Sequence, residues 1–445
     1  MHDSGLWLLP MLLSLAGCAS KHPPQSWDVV PDESLHFVSD LNLFDGPRKP
    51  ARLVFSQAPQ WNNWQPIPPV GPADTTNAPV FLPIAEGDYW YFAARTGARG
   101  YHAWHSTDMK SWTHHGQVSS SHWLTTAEYA EGQFYLYFDQ PNDEDPHLIL
   151  DNDLTDGDLN NTLIGKVFAD PSHGSDAGIL RDEDGTFHLI YEDWSPINAS
   201  THSWDSPLAG HADSLDGISG FAPHEYPAPI DERTEPTGEV KPYSHPAENI
   251  KNTNHNPTGI KLKPFTYDVH TPEQNAYGDY TLIKVGLQYY IFCDFDPVEG
   301  PMRIGCWTSD DITRQFTWSG SIGSGFHPDP TVGFAEGQFY LLVQRADIDF
   351  VSPGPWNDTV EARAGVDTNG DGAIDTWSKW ALVRETYKQK PGFARVVERT
   401  PATLDLSSLP TGTGFQFEYR ITPTLANAPP VITHTSFEFE FSTSE

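Results

Sequence analysis

Short, aromatic-rich segments recur along the chain, and each follows a glycine by about two residues. The glycines lie 45, 53, 101 and 51 residues apart. A strand unit that repeats every ~40–50 residues is typical of the blades of a β-propeller. The pattern therefore predicts an all-β chain whose main domain, residues 35–350, is a five-bladed β-propeller. The five copies begin at Gly87, Gly132, Gly185, Gly286 and Gly337.

Two further features of the repeat indicate turns. An acidic residue precedes four of the five glycines, as in a hairpin between two strands, whereas Val285 precedes the fourth. A second signature consists of a strand, a turn with Ser and Asp, and a strand that ends in Trp. It covers 105–112 in the first copy and 307–318 in the fourth, and we assign 204–208 to the corresponding place in the third.

The long gap between the third and fourth glycines contains residues 221–272, which repeat no glycine–aromatic unit. This stretch is rich in Pro, His, Asn and Glu, so we interpret it as a loop inserted over the mouth of the propeller. A sixth blade within the gap is the alternative.

The repeat stops near residue 350, and the pattern changes to a strict alternation of apolar and polar residues. The alternation covers 415–421 and 436–441, and the strand-like segment 360–366 precedes it. A period of two residues is typical of half-buried strands. We therefore predict a small β-sandwich over residues 351–445.

One loop of this second domain carries oxygen ligands at alternate positions. Asp367, Asn369, Asp371 and Asp375 surround two glycines that allow a sharp turn. This spacing predicts a structural Ca²⁺ ion, because a hard cation takes six to eight oxygens from a tight backbone curl. Ser378 stands where an EF-hand has its bidentate Glu, and an ordinary turn rich in Asp and Asn is the alternative.

The charge of the chain limits its partners. The formal net charge is −34, from 60 acidic and 26 basic residues. Such a chain repels nucleic acid and anionic membrane surfaces. It also disfavours a long, densely sulfated polysaccharide unless the binding cleft is locally basic.

The N-terminal residues have the character of an export signal. A short apolar stretch, 6–15, leads into Leu15-Ala16-Gly17-Cys18, which resembles a bacterial lipoprotein cleavage site. We therefore predict a signal peptide over 1–18, a lipid on Cys18 and a polar tether over 19–34. The expected location is the periplasm or the outer membrane of a Gram-negative bacterium. The other two cysteines, Cys293 and Cys306, lie on neighbouring strand-like segments and form either a disulfide or two buried thiols.

Carboxylates stand where the innermost strand of each blade begins. Innermost strands line the central funnel of a propeller, so their side chains can converge there. Hydrolysis of a glycosidic bond needs one carboxylate as base or nucleophile and one as acid. The residues at these positions are Asp74 and Asn77 in the first blade, Glu128 in the second, Asp176 in the third, Glu273 and Asp279 in the fourth, and Asp329 in the fifth.

The blade pattern resembles that of the five-bladed propeller glycosidases of glycoside hydrolase family 43 and its relative, family 117. The resemblance covers most of residues 60–345. It implies a general base from the first blade, an orienting Asp from the third and an acid from the fourth. Asp176 takes the orienting role, and Glu273 or Asp279 takes the role of acid, with a slight preference for Glu273.

The first blade departs from the family pattern, because Asn77-Ala78-Pro79 replaces the usual Asp-Pro. Asp74, three residues earlier, is the remaining candidate for the base. In family 117 a His can act as the acid, and the resemblance makes His327 and His270 candidates for that role.

The resemblance and the aromatic side chains together imply a saccharide ligand. Trp123 and Trp194 occur outside regular strand positions and are candidates for stacking on sugar rings, alongside the substrate-binding candidates Asn77, Glu128, His270 and Asp329. We expect an exo-acting glycosidase that releases a terminal sugar, with red-algal galactan oligosaccharides as substrate. An arabinofuranosidase or xylosidase activity, and a non-catalytic carbohydrate-binding lipoprotein, are the alternatives. The oligomeric state stays open.

Overall fold

The chain is almost entirely β-structure, with one short 3₁₀ helix at Leu154–Asp156 in the described residues. Within those residues no helix has the length and apolar character needed to cross a bilayer. The computed structural model describes residues 25–29, 36–57, 64–120, 123–139, 146–167, 174–193, 205, 209–223, 275–297, 300–323, 328–344, 347–354, 358–423 and 432–440.

The strands are numbered in chain order. The first half contains β1 (Gln25–Val29), β2 (His36–Val38), β3 (Asn42–Arg48), β4 (Pro50–Gln57), β5 (Gln65–Ile67), β6 (Thr75–Ala85), β7 (Asp88–Arg95), β8 (Tyr101–Ser106), β9 (Thr113–Ser119), β10 (Leu124–Ala130), β11 (Gln133–Asp139), β12 (Pro146–Asp151), β13 (Thr162–Lys166), β14 (Gly174–Arg181), β15 (Phe187–Asp193), β16 (Ala209–Ser214) and β17 (Ala222–Pro223). The second half contains β18 (Ala276–Val285), β19 (Gln288–Asp296), β20 (Arg303–Ser309), β21 (Thr317–Ile322), β22 (Thr331–Ala335), β23 (Gln338–Leu342), β24 (Asp349–Ser352), β25 (Asp358–Asp367), β26 (Thr376–Trp377), β27 (Ala381–Val383), β28 (Thr386–Gln389), β29 (Val396–Thr400), β30 (Ala402–Asp405), β31 (Gly412–Pro423) and β32 (Ile432–Phe439).

The repeat region forms five sheets, here called sheets 1 to 5. Sheet 1 has the order β6-β7-β8-β9, sheet 2 β10-β11-β12-β13 and sheet 3 β14-β15-β16-β17. Sheet 4 has the order β21-β20-β19-β18, and sheet 5 the order β22-β23-β24-β5. Neighbouring strands within these five series are antiparallel. The first strands of the sheets, β6, β10, β14, β18 and β22, are called the inner strands below.

Each repeat glycine lies in the turn between an inner strand and the second strand of its sheet, as the sequence pattern predicts. All five have a positive φ, between 60° and 93°. A residue with a Cβ atom rarely adopts this conformation, and glycine does so without steric cost. The glycines therefore determine where each inner strand reverses direction.

The inner strands contact one another in cyclic order. The hydroxyl of Thr126 accepts from the backbone N–H of Ile179 at 3.3 Å, which links β10 to β14. Thr281 accepts from Val332 at 3.1 Å, and this links β18 to β22. The hydroxyl of Thr331 accepts from Phe81 at 3.0 Å, so the last inner strand also contacts the first.

A strand from before the repeats completes sheet 5. β5 pairs antiparallel with β24, so Phe350 lies opposite Pro66. The carboxylate of Asp349 joins the two ends of the repeat region, because it accepts from the N–H of Val70 at 2.9 Å and from the N–H of Val343 at 3.1 Å. Both Asp349 and Phe350 are buried.

The Ser-and-Asp turn lies between the third and fourth strands of sheets 1, 3 and 4. In each case the Asp carboxylate accepts backbone N–H groups two or three residues ahead. In sheet 3 this turn contains Ser214 and Asp216, not residues 204–208. The sequence assignment was wrong there, because any Asp next to Ser fits the local pattern and strand pairing alone identifies the turn.

The remaining strands form two sheets around a second hydrophobic core. One sheet has the order β1-β32-β4-β30; the other has the order β2-β31-β25-β26, with β3 also paired to β31 and β27 to β25. Leu53, Phe55 and Phe437 from the first sheet pack in one cluster with Ala362 and Tyr419 from the second. Strands before the repeats thus pair with strands after them. Residues 36–57, which were expected in the propeller domain, lie with the C-terminal strands and not with the repeat sheets. β1 lies within residues 19–34, which were expected to form a tether.

The β28–β29 segment covers the end of the inner strands at which the glycine turns lie. β29 extends sheet 4 by pairing parallel with β18. The guanidinium of Arg395, which is 2% exposed, donates to the carbonyl oxygens of Ala127 and Val332, each at 3.2 Å. The side chain of Gln389 donates to the carbonyl of Pro83 on β6 at 2.6 Å. This end of the space between the inner strands is therefore filled by protein.

The cysteines of sheet 4 are two buried free thiols. β19 and β20 are antiparallel neighbours, as expected, but Cys293 lies opposite Gly305 and Cys306 lies opposite Phe292. A shift of one residue turns a side chain to the other face of a sheet. The two sulfur atoms accordingly belong to different hydrophobic clusters.

Candidate active site

The inner strands carry irregularities at the ends opposite the glycine turns. The pairing register shifts between Thr76 and Val80 in β6, between Ser175 and Gly178 in β14, and between Gly278 and Thr281 in β18. Such β-bulges occur next to active sites, where they re-aim a side chain.

One residue at each of these positions has a left-handed backbone. The φ angles are 65° at Asn77, 46° at Asp176, 53° at Asp279 and 38° at Asp329, the last just before β22. A residue other than glycine in this region costs on the order of 1 kcal/mol or more and persists where the surroundings impose it. Four sheets thus present a short polar side chain from the same strained position.

Carboxylates at the ends of the second strands support these positions. Because paired strands are antiparallel, the second strand ends where the inner strand begins. Asp139 of β11 accepts from the N–H of Asp176 at 3.0 Å, and Asp294 of β19 accepts from the N–H of Asp329 at 2.8 Å. Both carboxylates are buried. The backbones of Asp176 and Asp329 are therefore each held by an acid from the preceding sheet.

The third sheet contributes an acid to the fourth in a related way. Glu192 of β15 lies against Gly278, where a Cβ atom would approach its Oε1 to 2.2 Å and the Oδ1 of Asp205 to 2.6 Å. A side chain at this position would have to displace these two carboxylates. Asp205 and Glu192 are 4% and 1% exposed, so both acids are desolvated.

Three of the acids form a close group. Asp205, Asp279 and Asp294 each offer one oxygen, and the three oxygens lie within 4.8 Å of one another. The side chain of Asp329 is hydrogen-bonded to those of Asp279 and Asp294. Two carboxylates can share a hydrogen bond only if one holds a proton, so this arrangement favours partial protonation of the group.

Burial and mutual repulsion raise the pKa values of this group. Burial, followed by the charge of Asp329, raises the pKa of Asp205 to about 8 and the pKa of Asp294 well above its ordinary value. Burial and then the charges of Asp329, Asp176 and Asp294 raise the pKa of Asp279 well above its ordinary value. The pKa of Asp329 rises to about 6, because burial outweighs the stabilising hydrogen bonds from Asp279 and Asp294. Desolvation and like charges both disfavour ionised carboxylates.

Asp176 has a different environment. The indole Nε1–H of Trp123 donates to its Oδ1 at 3.1 Å. A hydrogen bond donated to a carboxylate stabilises the ionised form. Tyr101 lies within electrostatic reach of the site, because burial and then the charges of Asp329, Asp279, Tyr91 and Asp176 raise the pKa of its hydroxyl. The acids of sheets 3, 4 and 5 thus influence a common space.

In the described residues, Asp205, Asp279 and Asp294 are the group of three His, Cys, Asp or Glu side chains close enough to share an ion. Carboxylate oxygens suit a hard cation such as Ca²⁺, but three fall short of the six to eight ligands that it takes. Asp329 adds a fourth carboxylate beside this group. Shared protons, or a cation held by these oxygens, would each relieve the mutual repulsion of the acids.

Several predicted site residues lie elsewhere. Asp74 is exposed in the turn before β6, where its carbonyl accepts from the N–H of Thr96 at 2.9 Å. Glu128 is fully buried near the opposite end of β10, where it accepts from the backbone N–H groups of Tyr129 and Arg181 at 2.9 and 3.3 Å. Glu273, His270, His327 and Trp194 lie outside the described residues.

The sequence analysis missed Asp139, Glu192, Asp205 and Asp294. A signal for three of them was present: the aromatic second strand runs into an acid in sheets 2, 3 and 4. Asp205 had no such signal. It comes from the segment that was assigned to a turn, and only the tertiary structure brings it beside Gly278.

The predicted calcium loop folds as a series of side-chain-to-backbone turns. Asp367 accepts from the N–H groups of Gly370 and Gly372 at 2.7 and 2.9 Å, and Asp375 accepts from the N–H of Thr368 at 2.8 Å. These bonds shape the loop without an ion, and Ca²⁺ binding here stays a prediction.

No protein-family model and no curated protein sequence matches the chain. Among solved structures, it is similar to an α-L-arabinofuranosidase from Clostridium thermocellum at 13% identity, over 74% of this chain and 95% of the other, with a TM-score of 0.39. It is similar to an endo-arabinase from Bacteroides thetaiotaomicron at 10% identity, over 64% and 95%, with a TM-score of 0.41. It is also similar to an exo-β-1,3-galactanase from Phanerochaete chrysosporium at 8% identity, over 87% and 100%, with a TM-score of 0.39. The function of this chain is argued below from its own side chains.

Proposed function

We propose that this protein is a glycoside hydrolase that removes a terminal sugar from oligosaccharides. The observation that carries the proposal is the convergence of Asp176, Asp279 and Asp329 from three sheets, where burial raises the pKa values of Asp279 and Asp329 and Asp176 accepts a hydrogen bond from the indole of Trp123. Glycoside hydrolysis needs one protonated and one ionised carboxyl group facing the same bond. Environments that separate the pKa values of neighbouring acids assign these two roles.

Asp279 is the proposed general acid. Its raised pKa favours the protonated form, and its side chain is less buried than those of Asp294 and Asp329. A proton donor must be both protonated and within reach of the glycosidic oxygen. Asp176, held by the indole of Trp123, is the proposed ionised partner that acts as base or nucleophile.

The proposed architecture is a closed five-bladed propeller, with the other two sheets as a β-sandwich. The cyclic contacts of the inner strands support closure, and the core shared by the two sheets supports the sandwich. The β28–β29 segment fills one end of the central space, so a saccharide enters from the carboxylate end only. A blind site favours attack on a chain end, and exo action is therefore part of the proposal.

The substrate is proposed to be a red-algal galactan oligosaccharide, with arabinofuranosyl and xylosyl oligosaccharides as the rival classes. The protein is further proposed to be exported and anchored to the outer membrane by a lipid on Cys18. The apolar stretch 6–15 before Leu15-Ala16-Gly17-Cys18 supports the anchor. Labelling with a radioactive fatty acid tests it: the native chain should take up label and Cys18→Ser should not.

Product analysis with galactan, arabinan and xylan oligosaccharides tests the activity. The native protein should release one monosaccharide early, and Asp279→Asn should lower kcat by about 10³-fold or more, because the amide cannot donate the proton. Asp311→Asn is the matched control, since Asp311 lies in the turn between β20 and β21. Release of mixed oligomers would contradict exo action. Full activity in folded Asp279→Asn would remove this residue from the mechanism, and binding without any release would favour a non-catalytic carbohydrate-binding protein.

A further inference from the structure

A cavity of about 340 Å³ adjoins the bulge of β6. It is lined by Thr76 and Asn77 and by residues 94–100, at the end of β7 and in the loop that follows. Asn77 occupies the same strained position as the acids of the other sheets. The cavity therefore lies at the carboxylate end of the inner strands, on the side where sheet 1 contributes no acid.

Two arginines, Arg95 and Arg99, give this cavity a positive charge in a chain whose net charge is −34. Both are exposed, and in the described part of the chain neither is within ion-pair distance of a carboxylate. Most other arginines of the described residues have a partner, whereas exposed Arg384 resembles Arg95 and Arg99 in having no ion pair there. Arg52, Arg181, Arg314, Arg363 and Arg399 pair with acids, and Arg48, Arg303 and Arg420 lie over aromatic rings.

The backbone that carries the arginines is fixed in place. The N–H of Thr96 donates to the carbonyl of Asp74 at 2.9 Å, and the N–H of Ala98 donates to the carbonyl of Arg95 at 3.0 Å. Gly100 has a φ of 71°, and a Cβ atom there would approach the carbonyl of Ser119 to 2.0 Å. The loop thus presents Arg95 and Arg99 from a defined backbone conformation.

The charge of Arg95 acts on its surroundings. Burial and then the Arg95 charge lower the pKa of His114, and the same charge adds to the effect of burial on the pKa of His102. The next residue after the loop, Tyr101, connects the cavity to the acids. Its hydroxyl donates to the carbonyl of Ala78 at 3.1 Å, and its pKa responds to Asp329, Asp279 and Asp176.

We infer that this cavity is a subsite for an anionic substituent of the saccharide, either a sulfate ester or a carboxylate. The inference rests on the proposed glycosidase function. Guanidinium groups bind both anions through paired, charge-assisted hydrogen bonds. The ionised Asp176 repels an anionic group from the reacting position, and the two arginines attract that group beside it. The site therefore selects a saccharide that carries its charge next to the sugar that is cleaved.

Matched saccharides test this subsite. The probes are a sulfated galactan oligosaccharide, the same compound after desulfation, and glucuronoxylan and xylan oligosaccharides. The native protein should have a higher kcat/KM for the charged member of a pair, and Arg95→Gln/Arg99→Gln should lower that value about tenfold or more. The uncharged member should be unaffected. Preference for the sulfated or for the uronate compound distinguishes the two anions.

Arg314→Gln is the control, because it removes an exposed arginine from a distant turn. Equal kcat/KM values for charged and uncharged compounds, or a preference that survives in the double variant, would overturn the subsite and leave the hydrolase intact. Binding measured by calorimetry tests the opposite outcome, in which the subsite is present but the hydrolase activity is absent. If no compound is hydrolysed but the sulfated one binds more tightly than its desulfated form, and only in the presence of the arginines, the subsite stands and the hydrolase proposal fails.

Discussion

At the scale of single residues, the site depends on acids that are kept from ionising. Asp205 is almost fully buried, and its Oδ2 is among the buried oxygens of the described residues that lack a hydrogen-bond partner. Its neighbours Asp279, Asp294 and Asp329 are acids as well. Such a group is stable when it holds protons and repels itself when it loses them. The raised pKa that suits Asp279 to the proposed role of proton donor also predicts that the folded protein is sensitive to alkaline pH.

The stability of Asp205→Asn is predicted to depend on pH. Because the folded pKa of Asp205 is raised to about 8, its contribution to stability is present below its unfolded value of ~4 and is lost as pH rises through 8. The amide does not ionise. Denaturant unfolding should therefore find Asp205→Asn more stable than the native protein at pH 8.5, by at least about 1.4 kcal/mol, and similar at pH 4.

Asp311→Asn is the matched control for this measurement. Burial raises the pKa of the Asp311 carboxyl, but hydrogen bonds from Thr313 outweigh this effect, so the pKa is lowered. Its contribution has the opposite sign: it is present above the unfolded pKa and is lost as pH falls. If Asp205→Asn loses the same amount of stability at pH 4 and at pH 8.5, ionisation of Asp205 does not destabilise the folded protein at alkaline pH.

At the scale of elements, three inner strands serve two purposes at their two ends. Asp176 of β14, Asp279 of β18 and Asp329 just before β22 lie at one end, and each of these strands reverses at a glycine at the other. The β28–β29 segment pairs with β18 at this second end. Arg395 from that segment reaches the carbonyls of two inner strands, and its charge acts on buried Glu128. The floor of the proposed site is therefore held by one buried cation from the end of the chain.

Arg395→Met is predicted to destabilise the fold by about 3 kcal/mol, because it leaves Glu128 buried without the compensating charge. Urea unfolding measures the change. Arg395→Met/Glu128→Gln should recover part of the loss, since the second change removes the uncompensated acid. A double variant as unstable as the sum of the single changes would argue against this coupling.

The loop from Asp367 to Asp375 is the second element with a testable property. If it binds Ca²⁺ in the folded state, a chelator should lower the melting temperature by mass action. Asp371→Ala should melt at the same temperature with and without chelator, because it removes one of the ligands. Identical melting curves of the native protein in both conditions would leave an ordinary turn. Activity at a temperature well below melting should not change.

At the scale of the whole molecule, the order of strands in space differs from their order in the chain. β5 completes sheet 5, and β4 lies between β32 and β30. The start of the chain is thus joined to both the last repeat sheet and the C-terminal sheets. Such long-range pairing makes the stability of the repeat region depend on contacts such as that between Val70 and Asp349, which are 279 positions apart.

Asp349 offers a test of this closure. Asp349→Ala should cost about 2 kcal/mol, because the buried N–H groups of Val70 and Val343 both lose their acceptor. Asp349→Asn keeps one acceptor oxygen and should cost less. Unfolding in denaturant compares the two, and equal effects of alanine and asparagine would show that the carboxylate does not hold the ends together.

Local signals explain what was predictable from the sequence. The glycine turns, the aromatic second strands and the alternating C-terminal strands depend on neighbours within a few residues, and the structure contains all three. The acids Asp176, Asp279 and Asp329 were recognisable because they stand 9, 7 and 8 residues before the repeat glycines Gly185, Gly286 and Gly337. Asn77, which replaces the usual Asp in the first blade, likewise identified the sheet that places no acid at this position.

Only the tertiary structure decided which acids meet. Asp205 and Asp294 reach the site through pairing between sheets, and the register shifts that turn Asp279 toward them leave no trace in the local pattern. The same holds for β5, for residues 36–57 and for Arg395, whose partners lie far away in the chain. The sequence by itself determined the repeating unit, because turns and strand periods are short-range; packing between sheets, which is long-range, decided the composition of the site.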